Sequence, residues 1–423
     1  MFRRKLTTGW WIPPAVATAV IAASALVAKA AVRDAVYGHP APGVRFVVPV
    51  SYVVFSPLNR AFDLICLLSV PQHIALLAVI AMWIGIWRWL RARSGKPTSF
   101  RREALTLSVC IILLAIVYVG AIAGPRPMAA IAVDDADLIR VDFHSHSNVS
   151  GDARRSFSPA ANREWHRSAG FDLSYITDHR RFRGAQAAAA LNPARAGDGF
   201  VALSGFEGRF GGVDIIVPGM TVADSAMIGV RQRLDLDTLA SGREPVVIAA
   251  VPVRNIERID SIASVDTAYI RAVELVDGAP RGLLEEQRHG GRLRQIANSH
   301  NLLLVGGSNN HGWGRTAVVW NVVRVPGWRL LAPDSVGALL EQVLRSRDRE
   351  RLQVIERVRP WAGNGALRLA ATAPDALWVN FTTLTPSERL AWIAWAWIIA
   401  LLVYMSRPTR PVDRDQLTAT SRT

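Results

Sequence analysis

The sequence predicts an α/β domain, a barrel or open sheet of alternating strands and helices, held in a membrane by about four transmembrane α-helices. Three observations predict it. Half of the 423 residues are hydrophobic. Residues 6–28, 64–87, 104–125 and 390–406 run without a charged side chain. Between the third and fourth of these, the pattern changes to short apolar runs separated by polar, helix-like stretches.

A spanning helix needs about 20 apolar residues, with about 17 as the short limit. The first three stretches meet this comfortably and 390–406 only just, giving expected helices near 10–31, 65–87, 104–124 and 390–406. The segments left on alternate sides, 1–9, 88–103 and 407–423, hold 13 Lys and Arg, against three in the loop 32–63. Positive residues resist translocation. The N-terminus, the 88–103 loop and the tail are therefore expected in the cytoplasm of a multi-pass cell-membrane protein. The expected organisation is a membrane region 1–125, an extracytoplasmic domain 126–389, a fourth helix 390–406 and a basic cytoplasmic tail 407–423. Arg3, Arg4 and Lys5 before an apolar run ending Ala28-Lys29-Ala30 also fit a cleaved signal peptide, but the length of the run and three further spans favour a retained helix. Arg60, Asp63 and His73 fall near one end of the second span, where snorkelling to the interface is the expected explanation.

The formal charge of +15 suggests nucleic acid until it is located. Residues 126–389 contain 32 Arg and no Lys against 29 acidic residues, so the excess is mostly topology and no nucleic-acid partner is expected. Both cysteines, Cys66 and Cys110, fall in expected spans, which leaves the outer domain without an internal disulfide.

Within 126–389 the strand candidates are 138–143, 172–176, 200–204, 214–217, 245–250, 272–276 and 302–305, with an eighth at 316–325. Helix candidates at 159–169, 181–191, 283–300 and 334–347 alternate with them, as parallel β/α units require. The first strand ends in Asp142-Phe143-His144-Ser145-His146. Side chains two apart on a strand share a face, so both imidazoles can meet one cation, and imidazole suits zinc, iron and manganese. Alone, a His-x-His is weak evidence, more often a turn or surface pair than a ligand set. It gains weight from residues placed near the ends of strands: Asp152 in a glycine-containing turn after the first, Thr177-Asp178-His179 after the second, Glu207 after the third, and His311 after the seventh. Carboxyl ends of parallel strands converge on one mouth of a barrel. No P-loop, Gly-x-Ser-x-Gly elbow, Cys-x-x-Cys or dinucleotide fingerprint is present.

The blocks VDFHSHSNVSGDA, AGFDLSYITDH, LSGFEG and GGSNNHGWG, covering about residues 138 to 320, resemble the PHP (polymerase and histidinol phosphatase) superfamily, most of all its branch with carbamate and aryl-ester hydrolases. The resemblance implies a distorted (β/α)7 barrel with metal ions. It implies His144 and His146 on one metal, Glu207 bridging to a second, and Asp152, His179, Asn309 and His311 as further ligands. Glu207 and Asp178 are the expected catalytic carboxylates, Asp178 by orienting His179. Three departures from the family pattern matter. Asn309 stands for an Asp, Asp214 for a His after the bridging Glu, and Ala250-Val251-Pro252 for Ala-His-Pro. Val251 cannot bind a metal, so one or two divalent ions (Zn, Mn or Fe) are expected.

Arg154, Arg155, Arg180, Arg181, Arg183 and Arg209 stand close to these ligands in sequence. Arg154, Arg180 and Arg209 are the candidates for holding an anionic substrate, although Arg is nearly the only cation of this domain and most of its copies are surface residues. Trp313 and Phe182 are expected to be packing aromatics, and His166, His289 and His300 structural or surface residues. The expected function is a membrane-anchored, outward-facing metal-dependent hydrolase of phosphoesters or related esters that uses a metal-activated water. Its substrate would be a small molecule or a lipid headgroup ester at the bilayer. The alternative is a catalytically degenerate barrel serving as a metal-dependent sensing or binding domain, which Asn309 and Val251 favour and the short cytoplasmic segments oppose.

Overall fold

The computed structural model describes residues 9–94, 99–179, 181–210, 212–227, 239, 241–250, 256–265, 270–360 and 365–406. The N-terminal third contributes α1 (Ile12–Ser24), β1 (Val32–Asp34), β2 (Val44–Val47), α2 (Val50–Val54), α3 (Ser56–Cys66), α4 (Val70–Arg93) and α5 (Phe100–Ala123). The central part continues as β3 (Ala130–Val133), β4 (Leu138–Ser145), α6 (Pro159–Ser168), β5 (Leu173–Ile176), α7 (Arg183–Ala189), β6 (Val201–Phe210), β7 (Val213–Pro218) and β8 (Val247–Ala249). Next come α8 (Ile256–Val265), β9 (Ile270–Asp277), α9 (Pro280–Ser299), β10 (Leu303–Gly307), β11 (Val319–Arg324), α10 (Pro333–Ser346) and β12 (Leu352–Arg357). The chain ends with α11 (Ala366–Ala370), α12 (Thr372–Thr382) and α13 (Pro386–Ser406).

Ten strands form one curled sheet in the order β1-β12-β11-β4-β5-β6-β7-β8-β9-β10. β4, β5 and β6 run parallel, as do β8, β9 and β10. The expected run of β/α units breaks between these triplets, where β6 turns straight back into β7 as an antiparallel hairpin and β7 pairs antiparallel with β8. Only two residues, both glycine, separate β6 from β7, and Gly212 takes φ +87°, a conformation that glycine adopts without steric cost. The sheet curls until β10 meets β4. Asn309 donates its N–H to His144 O (2.8 Å) and His146 to Asn310 O (3.1 Å). Below that seam the Asn321 amide donates to Val141 O and Gly306 O and accepts from Gly306 N–H. The mouth of the curl is thus bounded by the ends of β4, β5 and β10. Apolar side chains of α9 and α10, such as Leu293, Ile296, Leu340 and Leu344, seal the outer face of the sheet, while Trp165, Phe171 and Trp320 fill the side under α6.

Three helices among the described residues are long and apolar enough to cross a membrane: α4, α5 and α13. The expected first span is shorter. α1 has 13 residues, although Trp10 stacks on Tyr404 (5.3 Å) and Arg389 reaches Ile21 O (3.3 Å), so it lies antiparallel along α13. The second span starts later than expected. Leu67 and Leu68 are buried, and Ser69 with Gln72 forms a capping box that launches α4.

Arg60 and Asp63 do not snorkel. Both are buried on α3, where Asp63 accepts from Tyr52 Oη (2.7 Å), Arg126 Nη1 (2.5 Å), Thr316 Oγ1 (2.8 Å) and Arg357 Nη1 (2.6 Å). Arg60 makes a two-pronged pair with Glu388 at the start of α13, at 2.6 and 2.7 Å. The partners lie up to 328 residues away in sequence, which is why no local pattern announces them. β1, from the same N-terminal third, pairs with β12 at the sheet edge. The N-terminal helices, the start of α13 and the sheet are therefore one packed body, joined through desolvated charges. Asp63→Ala leaves two buried guanidinium groups without their carboxylate, and breaking such a pair costs about 3–5 kcal/mol. The expected result is a clear drop in the melting temperature of the detergent-solubilised protein, partly recovered by adding Arg357→Met; an unchanged melting temperature would refute the weld.

Candidate metal centre

Each element delivers one part of the site to the mouth. β4 carries His144 and, one step past its end, His146. The loop toward α6 carries Asp152, the residue after the β5 exit is His179, β6 carries Glu207, and the β10 exit carries Asn309 and His311. A short parallel bridge between His179 and Glu207 sets these two side by side. Ligand atoms of His144, His146 and Glu207 all lie within 4.8 Å of one another, and so do those of His146, Asp152, His179 and His311. His146 belongs to both groups, its ring between those of His179 (4.9 Å) and His311 (4.3 Å). This differs from the expected division, in which His146 served only the first metal. The inner group is buried, whereas Asp152 and His179 are open to solvent.

The hydrogen-bond chemistry of the cluster fits a cation. His144 Nδ1 stands 2.8 Å from Glu274 Oε1 and His311 Nδ1 2.9 Å from Asn309 O. Both partners are acceptors, so each Nδ1 carries the proton and, in the neutral ring, Nε2 presents a lone pair. Those lone pairs face other acceptors. His144 Nε2 lies 3.1 Å from His146 Nε2 and 3.4 Å from Glu207 Oε2, and His311 Nε2 lies 3.2 Å from Asp152 Oδ2. Glu207 Oε2 is buried without a hydrogen bond, although His146 Nε2 (3.1 Å) and His179 Nδ1 (3.2 Å) also stand around it. Donor-poor surroundings of this kind are stable only with a positive charge among them, either protons or a metal ion.

Protonation obeys the same logic. Burial works against a charged His144, but Glu274 and Glu207 outweigh it and hold its pKa well above the ordinary 6.5. Burial likewise opposes ionised Glu207, yet His144 and His146 hold it well below the usual value. His146 is pushed down to about 4, chiefly by burial. The bond to Asp152 raises His179. Asp152 is itself depressed, its bonds to His179 and His311 overcoming the effect of burial.

Other expected residues fall elsewhere. Asp178 does not orient His179, because its oxygens accept from Ser147 N–H (2.6 Å) and Oγ (2.7 Å) while both nitrogens of His179 face Asp152 and Glu207. Burial raises Asp178 to about 6. Asn309 turns its amide N–H to Asp277 (3.0 Å), leaving its Oδ1 buried without a partner. Arg154 lies over the Trp313 ring at 5.7 Å. Arg209 is paired with Asp214 at 2.7 Å. Arg180 and Val251 lie outside the described residues. Phe182 packs on Phe206, and His166 is buried against Asp142 (2.8 Å).

Sequence reading missed the supports. Glu274 fixes the tautomer of His144, and Gly307 makes room for it, since a Cβ there would collide with Glu274 Oε1. Asp142 ties three elements together, accepting from His144 N–H, from Ser308 N–H and Oγ, and facing His166. The available signal was charge inside an apolar strand, since Glu274 and Asp277 interrupt the run Val273-Glu274-Leu275-Val276-Asp277.

No family model matches the chain, and no curated protein matches it. Among solved structures, it is similar to a two-domain protein of Bacteroides vulgatus described as containing a predicted PHP-like metal-dependent phosphoesterase, at 14% identity and a TM-score of 0.33. That match covers 52% of this chain and 65% of the other, so the chain spans less than two thirds of that protein's length. It is also similar to an amidohydrolase of Chromobacterium violaceum with bound sulfate and no metal, at 16% identity and a TM-score of 0.31, over 51% of this chain and 97% of that one. A third similar structure is PsfC of Pseudomonas syringae, at 14% identity and a TM-score of 0.31, over 49% and 98% of the two chains. At such scores these likenesses carry no argument about activity, and the reading of the site stands on its own geometry.

Proposed function

We propose that this protein is a membrane-anchored, metal-dependent hydrolase of phosphoesters or related esters, with its site on the extracytoplasmic side. The observation that carries the proposal is the convergence of imidazole lone pairs and two carboxylates on the same small volume at the mouth of the sheet. A divalent cation bound there would supply Lewis acidity, polarising the ester and acidifying water. His144, His146 and Glu207 are the residues suited to the inner position, and Asp152, His179 and His311, with His146 shared, to the outer one. Glu274 would keep the His144 ring in the binding tautomer. The outward orientation is supported by Arg88, Arg91, Arg93, Arg101 and Arg102 at the ends of α4 and α5 away from the sheet. In a phosphoester, the water oxygen would join phosphorus while the bond to the alcohol breaks and the alcohol leaves with a proton.

Full-length protein should purify with, or take up, zinc, manganese or iron, and hydrolyse members of a panel of aryl phosphates, phosphodiesters and carboxylic esters. His144→Ala should lose both metal and turnover. Equal turnover by the two proteins would remove the assigned site. Metal without turnover in the native protein would favour the sensing alternative, for which the engagement of Asn309 with Asp277 is the specific support. Glu274→Gln should lower metal affinity by about 10–100-fold, the usual penalty for losing the partner of a ligating imidazole.

Proton linkage provides a separate check. Because His144 and His179 are raised in the metal-free protein, the stabilisation from their carboxylate pairs is complete below 6.5, the ordinary histidine value, and is lost as pH climbs through the raised values. Glu207 and Asp152 are depressed, so their contribution fails only in acid well below 4.5 and 3.8. A cation needs the same nitrogens without their protons. The metal-free melting temperature should therefore fall as pH rises above 6.5 while the gain on adding metal grows, as read by calorimetry with and without chelator. A gain independent of pH would count against these ligands.

A further inference from the structure

The metal-ligand cluster opens into a cleft of about 660 Å³ whose two ends differ in chemistry. One end holds Asp152, Ser308, Asn309 and His311. Beside them is Arg281 in the first turn of α9, exposed and without an ion-pair partner among the described residues. The opposite wall is not part of the sheet domain. It is formed by Ile65 of α3, His73 in the first turn of α4, and Tyr118 and Ile122 in the last turns of α5. α4 and α5 are two of the helices fit to cross a membrane, and these are their ends nearest the sheet. His73 Nδ1 and Tyr118 Oη satisfy each other at 3.2 Å, so that stretch of wall offers little unpaired polarity. Trp313, more than half exposed, stands at the rim.

A water-soluble ester would need only the polar end. The cleft instead continues from the candidate cation ligands to the sheet-side ends of α4 and α5; with those helices spanning a bilayer, an acyl or prenyl chain would lie at that level. We infer that the substrate is a phospholipid, with its phosphate ester at the cluster near Arg281 and the first part of its chain against Ile65, Tyr118 and Ile122. This inference rests on the proposed hydrolase and on the membrane reading of α4 and α5, and it adds that the spans themselves are a substrate wall. A guanidinium fork suits a phosphate, and burial of a few methylenes at about 0.8 kcal/mol each supplies the selectivity for the lipid.

The test uses the full-length protein in phosphatidylcholine vesicles containing phosphatidic acid whose acyl chain carries a diazirine, with mass-spectrometric mapping of the photolabel. The expected label falls on residues 118–122 and 313–318, and it is lost in Ile122→Trp, which fills the apolar end without touching a ligand. In parallel, turnover of phosphatidic acid and phosphatidylglycerol is compared with that of p-nitrophenyl phosphate. Ile122→Trp should lower kcat/KM for the lipid by about tenfold, the effect of losing two methylene contacts, and leave the soluble ester within about twofold of its native rate. Arg281→Ala, a solvent-exposed change that the fold tolerates, should weaken labelling and lipid turnover together. Label confined to other faces of the helices, or equal slowing of lipid and soluble esters by Ile122→Trp, would overturn the inference. Label in the cleft with no turnover of any ester would retain the lipid seat and refute the hydrolase, which keeps the two failures apart.

Discussion

Glu207 Oε2 sits in a buried position with no hydrogen-bond donor of its own and three imidazole nitrogens within 3.4 Å. A carboxylate stripped of water in this way is tolerated only beside compensating charge, and the rest of the mouth is arranged to provide it. Glu274 orients one ring from across the curl, Asn309 O orients another, and Asp142 joins the end of β4 to α6 and the β10 exit so that the rings cannot drift apart. The same constraint explains the burial gradient. The inner group is sealed, which strengthens its electrostatics, while Asp152 and His179 of the outer group reach solvent.

The sheet obtains this geometry by departing from regular β/α alternation. Had β6 been followed by a helix and another parallel strand, its length would have been set by the next crossover. The β6–β7 hairpin instead lets β6 run for ten residues, and Glu207 is carried within it rather than on a loop. Rigid strand placement suits a carboxylate held against His144 and His146 of the inner group.

Much of this was legible from the sequence, and for local reasons. Most strands and helices of the central part begin within a few residues of where the apolar runs place them, because alternation and turn residues act over short distances. However, α8 and β12 were not foreseen, and β6 runs on to Phe210, past the expected end at 204. Histidines at strand ends were visible for the same reason. What the sequence hid depends on partners far away in the chain. The Asp63 cluster draws on Tyr52, Arg126, Thr316 and Arg357, and a charge beside an apolar run reads identically whether it reaches water or a buried guanidinium. Asp178 was misjudged because it adjoins His179 in sequence while the backbone turns it toward Ser147. Glu274 sits on a strand that carries no motif, so only its charge set it apart.

The union of α3, β1 and the sheet domain bears on how this protein can be processed. Where a folded unit hangs from a flexible stalk, a protease that cuts the stalk releases that unit intact. Here a cut just before Arg126 would remove both the edge strand lying on β12 and the carboxylate between Arg126 and Arg357. The N-terminal third is thus a piece of the folded body rather than a detachable tether, and losing it would damage the sheet it holds.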